Sequence, residues 1–124
     1  MSRRCRLIAF AAAGYRWFLV KPTLTVHLRC DAEVSGKLSV AVMSPNGETN
    51  NPESFDIRTI CQNGKIELGN YQREKSVRFM VERGGVEKFD LLSEYGRNIQ
   101  SDQNGFYMLL KVTNSPPFIS NDSI

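Results

Sequence analysis

The sequence has a single histidine, His27, and it lacks the patterns Gly-x-Ser-x-Gly, Cys-x-x-Cys and His-x-His. A serine or cysteine nucleophile needs a nearby base that a third group orients, and a metal ion needs several converging ligands. His27 is the only conventional base, and it lies on the polar side of an alternating segment. We therefore predict that the protein is not an enzyme and that it has no catalytic residues, no metal site and no cofactor.

Most of the chain lacks an excess of positive charge, although the net charge is +3. Residues 1–20 hold four arginines and no acidic residue. The other 104 residues hold 12 lysines and arginines against 13 aspartates and glutamates, a net charge of −1. An interface for nucleic acid needs lysine and arginine clustered on the folded domain, so we do not expect a nucleic-acid partner.

The sequence also lacks a run of about 20 apolar residues, the length that a membrane-spanning helix needs. Residues 1–6 are rich in arginine and precede a short apolar stretch, Leu7–Gly14, that contains alternating alanines. This order is typical of a secretory signal peptide with small residues for cleavage. We predict that residues 1–20 are a leader and that the chain has no stable membrane span. The alternative is that these residues form a first strand or helix.

Cysteine is rare, with only Cys5, Cys30 and Cys61 in the chain. Loss of the leader would remove Cys5 and leave an even pair, which is typical of proteins from oxidising compartments. We predict a disulfide between Cys30 and Cys61 and a secreted or periplasmic location. The alternative is a cytoplasmic protein with two buried free thiols.

Alternating apolar and polar residues dominate the chain after the leader. The clearest case runs from Leu24 to Cys30, and strict alternation of this kind predicts a strand with one face in water. The segment Phe55–Leu68 alternates on both sides of Asn63-Gly64, a pair that favours a type I′ turn. We predict a central hairpin there. No stretch after residue 20 shows a sustained helical period of 3.6 residues.

These segments number about seven, at the spacing expected of a sandwich or a barrel. We predict an all-β fold with one domain, residues 21–114, that forms a small antiparallel β-sandwich, followed by a flexible tail, residues 115–124. A small closed β-barrel is the alternative. The predicted core consists of the inward apolar positions Leu24, Val26, Leu28, Val40, Ile57, Ile66, Leu68, Val77, Phe79, Val81, Phe89, Leu91, Leu110 and Val112.

Loops on a rigid sheet often carry recognition, and the polar loop Gly47–Ser54 is longer than a hairpin needs. Tyr71 and Tyr95 lie in two other long connections, where their rings could anchor an interface. The predicted contact residues are Tyr71, Tyr95, Asn46, Asn50 and Asn51.

Two classes of function fit this sequence. The first is an exported, non-enzymatic β-sandwich that contacts a protein partner or surface receptor as an adhesin-like, assembly or inhibitory module. Open sheet edges would allow assembly by strand pairing. The alternative is an intracellular small β-barrel that binds protein or single-stranded nucleic acid.

Overall fold

A computed structural model describes residues 22–85 and 87–122, so the predicted leader, residues 1–20, lies outside the described residues. Within these two ranges the chain forms nine strands and one short helix. In chain order they are β1 Thr23–Cys30, β2 Lys37–Met43, β3 Glu53–Asp56, α1 Ile57–Asn63, β4 Lys65–Gly69, β5 Ser76–Arg83, β6 Glu87–Glu94, β7 Gln100–Asp102, β8 Gly105–Val112 and β9 Ile119–Asn121.

The strands form two separate sheets that pack together as a sandwich. One sheet has the order β4-β1-β8, and β7 and β9 share the outer edge of β8. The other sheet has the order β3-β2-β5-β6. Neighbouring strands are antiparallel except for β1 and β8, which are parallel. The predicted all-β sandwich is confirmed, and the described strands do not form a closed barrel.

One apolar core lies between the two sheets. Of the fourteen predicted core residues, eleven are buried, and the other three, Leu28, Phe89 and Leu91, are partly buried against the same cluster. Alternation therefore identified most of the interior, because side chains two residues apart lie on the same face of a strand. The buried residues that the list omitted are Val34, Leu38, Val42, Ile60, Tyr71, Ile99, Met108, Phe118 and Ile119.

The predicted central hairpin is wrong, because helix α1 occupies most of its first arm. Asp56 caps the helix, and its Oδ2 accepts hydrogen bonds from the Thr59 backbone N–H at 3.2 Å and the Thr59 hydroxyl at 3.1 Å. Gly64 ends the helix at φ 82°, and its N–H donates to the carbonyl of Ile60 at 2.8 Å. Asn63-Gly64 is therefore a helix end and not a hairpin turn.

A type I′ turn and the C-terminal cap of a helix both place a glycine at positive φ. The pair Asn63-Gly64 is therefore compatible with either structure. The same segment also contains the helical spacing Ile57, Ile60 and Cys61, and the two isoleucines are buried. Thr59, which a period of two would place on the same face as Ile57 and Cys61, is exposed. Asp56 three residues before Thr59 is a typical N-terminal cap, and it decides between the two periods.

The predicted disulfide is confirmed. Cys30 at the end of β1 is bonded to Cys61 in α1, and their Cα atoms are 6.1 Å apart. Cys30 therefore lies on a strand, as the alternation of Leu24–Cys30 predicted, whereas Cys61 lies on a helix. The bond ties the short helix to the end of β1, an inner strand of its sheet, and the backbone N–H of Leu28 adds a hydrogen bond to the carbonyl of Gly64 at 2.9 Å.

The predicted boundary after residue 114 is also wrong, because β9 continues the domain. Ile119–Asn121 pairs with the end of β8, and Phe118 and Ile119 are buried. The ring of Phe118 meets that of Phe89 edge to face at a centroid distance of 4.9 Å. Only two apolar residues, Phe118 and Ile119, follow the two prolines, so the sequence resembles a tail. Because both side chains are buried, the segment belongs to the core. Only residues 123–124 of the predicted tail lie outside the described residues.

Candidate functional site

Three connections meet at one end of the sandwich and surround an open cleft of about 710 Å³. We call it the end cleft. It is lined by Met43, Ser44, Pro45, Gly47, Arg73, Glu74, Lys75, Ser76, Glu94, Tyr95, Gly96 and Arg97.

Strand register explains why these connections come together. Met43 at the end of β2 pairs with Ser76 at the start of β5, and Ser76 pairs with Glu94 at the end of β6. The three residues therefore form one row across the sheet. Strands β2 and β6 end in this row and β5 begins in it, so all three connections lie at the same end of the sheet. Antiparallel pairing thus brings together connections that lie far apart in the sequence.

Tyr95 is half-buried in the end cleft, as the prediction of a contact tyrosine requires. Its ring meets Phe106 edge to face at 5.8 Å, and its hydroxyl lies 2.9 Å from the Oγ of Ser101. The guanidinium carbon of Arg73 lies 4.8 Å from the centroid of the same ring. The cleft therefore contains a guanidinium on an aromatic face, a cation–π pair that can contact both acidic and apolar groups.

The prediction that Tyr71 contacts a partner is wrong, because its side chain is fully buried. Its hydroxyl donates to the carbonyl of Lys75 at 3.0 Å, and its ring meets Phe106 edge to face at 4.9 Å. The backbone N–H of Lys75 in turn donates to the carbonyl of Gln72 at 2.9 Å. Tyr71 therefore stabilises the turn that carries Arg73 through a buried side chain that does not itself line the cleft.

Burial of the phenol, followed by the nearby Glu74, Tyr95 and Glu94, raises the pKa of Tyr71 to about 12. Since the ordinary value is about 10, the neutral phenol stabilises the fold fully below about pH 10. This stabilisation is lost as the pH rises from about 10 to about 12. We expect the free energy of unfolding of the wild type to fall relative to that of Tyr71→Phe across this window. Urea titrations of both proteins from about pH 7 to about pH 11 measure the difference, and parallel curves would contradict it.

The three predicted contact asparagines do not gather around Tyr95. Asn46 is exposed beside the cleft, where its Nδ2 donates to Glu48 Oε1 at 2.9 Å and its Oδ1 accepts from the Glu48 backbone N–H at 3.0 Å. Asn50 and Asn51 are exposed on a separate, much smaller depression beside β4. Asn46 therefore braces the turn at the cleft, and the other two asparagines lie apart from it.

Two arginines in the end cleft were not among the predicted site residues. Arg73 and Arg97 each follow a tyrosine by two residues in the sequence, a spacing that could have drawn attention to them. With Lys75 they supply three positive charges, against Glu74 and Glu94. The Nη1 of Arg97 lies 3.8 Å from Glu94 Oε1, so this exposed pair is weak. The cleft carries a small positive excess.

Among the residues that the structure describes, we find no candidate for a catalytic group. His27 is exposed on the outer face of its sheet opposite Lys65. No cluster of three histidine, cysteine, aspartate or glutamate side chains suitable for a metal ion occurs among residues 22–85 and 87–122. The prediction that the protein is not an enzyme stays a prediction.

Open sheet edges are present, as the prediction of strand-edge assembly requires. Among the described strands, β3 and β6 are the outer strands of one sheet and β4 is an outer strand of the other, so each has one unpaired side. Lys65 and Glu67 are exposed on β4, and charged side chains on an edge strand disfavour pairing with another chain. Assembly through these edges stays a prediction.

No protein-family model, curated protein or solved structure matches this chain. In the described ranges, no helix has both the length and the apolar character needed to cross a bilayer. Arguments about function therefore come from the geometry of this molecule alone.

Proposed function

We propose that the protein is an exported, non-enzymatic binding module and that its end cleft recognises a protein partner or a surface receptor. The observation that carries the proposal is the meeting of three connections around the Arg73–Tyr95 pair. Loops on a rigid scaffold commonly bear recognition sites, because the scaffold fixes the positions of the contact groups. The disulfide and the leader-like sequence of residues 1–20 support export.

The composition of the cleft favours a partner with an acidic and partly apolar surface. Tyrosine and arginine are the residue types most often found to dominate binding energy, since each offers a large contact area with a polar end. Arg73 lies over the ring of Tyr95, so the pair is arranged before any partner arrives. Such preorganisation lowers the entropy that is lost on binding.

Site-specific cross-linking tests the location of the contact. A benzophenone amino acid replaces Glu74, an exposed residue of the cleft outside the Arg73–Tyr95 pair, in one variant and Lys88, an exposed residue near the far end of β6, in a matched control. In the native host, we expect a discrete adduct with one partner from position 74 and none from position 88. Equal adducts from both positions, or none from position 74, would contradict the proposal.

Binding measurements with the cross-linked partner then test the energetics. We expect Arg73→Ala and Tyr95→Ala each to weaken the affinity at least tenfold, or about 1.4 kcal/mol, because each removes one half of the cation–π pair. Lys88→Ala should change the affinity less than twofold. Calorimetry with the purified partner gives these values, and unchanged binding by both cleft variants would reject the end cleft as the contact surface.

A further inference from the structure

Strand β4 is an outer strand of its sheet, and its hydrogen bonds to β1 decide which of its backbone groups face outward. Among the described strands it pairs with β1 alone. The register continues to Leu28 and Gly64, where the N–H of Leu28 donates to the carbonyl of Gly64 at 2.9 Å. Directly opposed residues that share a hydrogen bond recur at every second position of an antiparallel ladder. Ile66 and Leu68 are therefore the residues of β4 that bond to β1.

The other residues of β4 form a row of outward-facing backbone groups. The N–H and C=O groups of Lys65, Glu67 and Gly69 point away from β1, because successive residues of a strand face opposite neighbours. All three residues are exposed. An outer strand of this kind can accept a second strand through main-chain hydrogen bonds. Its side chains then decide which strand can pair with it.

The exposed side chains of β4 carry opposite charges. Lys65 and Glu67 are two residues apart, so both project from the outer face of the sheet. Opposite charges that lie directly across from each other on neighbouring strands stabilise the pairing, and like charges destabilise it. Charged edges disfavour pairing with most other strands. A second β4 in antiparallel orientation, however, can place each lysine opposite a glutamate.

One register of two antiparallel β4 strands pairs both charges with opposite ones. With Ile66 of each copy on the two-fold axis, Lys65 of one copy faces Glu67 of the other, and the same pair occurs again on the other side of the axis. A shift that centres the pairing on Lys65 or on Glu67 instead brings two like charges together. The register centred on Ile66 also opposes the outward-facing backbone groups, so each Lys65–Glu67 pair can exchange hydrogen bonds in both directions.

Strands β3 and β6, the outer strands of the other sheet, lack this self-complementarity. The exposed charges of β3 are Glu53 and Asp56, both acidic, so two copies would repel each other. On β6, Asp90 is already bonded to Arg78 at 2.8 Å, and the carbonyl of Glu94 accepts hydrogen bonds from three residues of the following turn. Strand β4 is therefore the edge that best fits a second copy.

We propose that the protein forms a two-fold dimer through its β4 strands. The partner is a second copy of this chain, and the two β4-containing sheets join into one continuous sheet across the axis. The contact is a short strand pair, smaller than a standard stable interface, so we expect a dissociation constant in the micromolar to millimolar range. The inference goes beyond the proposed function, because Lys65 and Glu67 do not line the end cleft.

Charge exchange at the edge tests the proposal on the full chain. Analytical ultracentrifugation over a range of concentrations gives the dissociation constant of the dimer. We expect Lys65→Glu and Glu67→Lys each to raise it at least tenfold, because like charges replace the opposite pairs. The variant with both substitutions restores the opposite pairs and should return to within threefold of the wild type. The matched control, Lys111→Glu, changes an exposed lysine of β8 and should stay within twofold.

Amide hydrogen exchange, followed by NMR, tests the register independently of the side chains. When the protein concentration is raised above the dissociation constant, the amides of Lys65 and Glu67 should exchange more slowly. The amides of Ile66 and Leu68 already bond to β1 and should not change. Equal rates at all four amides across the concentration range would contradict the register.

Three results of the ultracentrifugation would overturn the proposal: a wild type that stays monomeric at millimolar concentration, single variants that dimerise as the wild type does, or a double variant that does not regain the dimer. Below the dissociation constant, we expect all variants to have the melting temperature of the wild type, because both positions are exposed. Arg73→Ala should dimerise as the wild type does, so failure of the dimer and failure of the end cleft are distinguishable.

Discussion

Replacing Phe79 with alanine is expected to lower the free energy of unfolding by about 3–5 kcal/mol, the cost of removing a large ring from a packed core. Phe79 is fully buried in the middle of β5, between β2 and β6. It pairs with Val40 on one side and with Leu91 on the other. The cavity left behind would lie inside the sandwich, where neighbouring strands have little freedom to close it.

A urea titration of wild type and variant measures this loss. The matched control is Leu92→Ala on the neighbouring strand, because Leu92 is 50% exposed, and a surface substitution usually changes stability by less than about 0.5 kcal/mol. A loss below about 1 kcal/mol for Phe79→Ala would mean that its ring is not in the core. The two values together test the assignment of inner and outer faces.

Removing the disulfide should have an effect of similar size. Cys30 and Cys61 are 31 positions apart in the sequence. Closing a loop of that length lowers the entropy of the unfolded chain, which raises the free energy of unfolding by about 3–4 kcal/mol. We expect Cys30→Ala combined with Cys61→Ala to lower the free energy of unfolding by this amount. The wild type in the presence of reductant should lose a similar amount, and the double variant should be insensitive to reductant.

Thiol mapping provides the direct control for that experiment. The unreduced protein is unfolded and alkylated, and the peptides that contain Cys30 and Cys61 are identified by mass. Both cysteines should be unmodified before reduction and modified after it. Alkylation of either one without reductant would contradict the bond.

Alternation in the sequence was enough to place the strands with long, uninterrupted patterns. Leu24–Cys30 and Val77–Val81 are strands with the expected inner faces, apart from Leu28 and Cys30, which are only half-buried. The pattern failed at Ile57–Asn63, where apolar residues satisfy a period of two and a helical period at once. A local capping interaction decided that case, and capping depends on atoms that periodicity does not describe.

The end cleft could be predicted only in part. The sequence indicated that the connections after β2, β4 and β6 would carry recognition, and Tyr95 does line the cleft. It could not show that Tyr71 turns inward, because burial there depends on a ring contact with Phe106, 35 residues later.

Hydrogen–deuterium exchange of the protein, alone and with the cross-linked partner, tests the end cleft as the contact surface most directly. The account predicts slower exchange in the complex at 44–49, 72–76 and 95–99, the three connections that surround the cleft. Exchange in β4, at the edge of the other sheet, should be unchanged. Protection confined to β4 or to the far end of β6, with the three connections unaffected, would contradict the account.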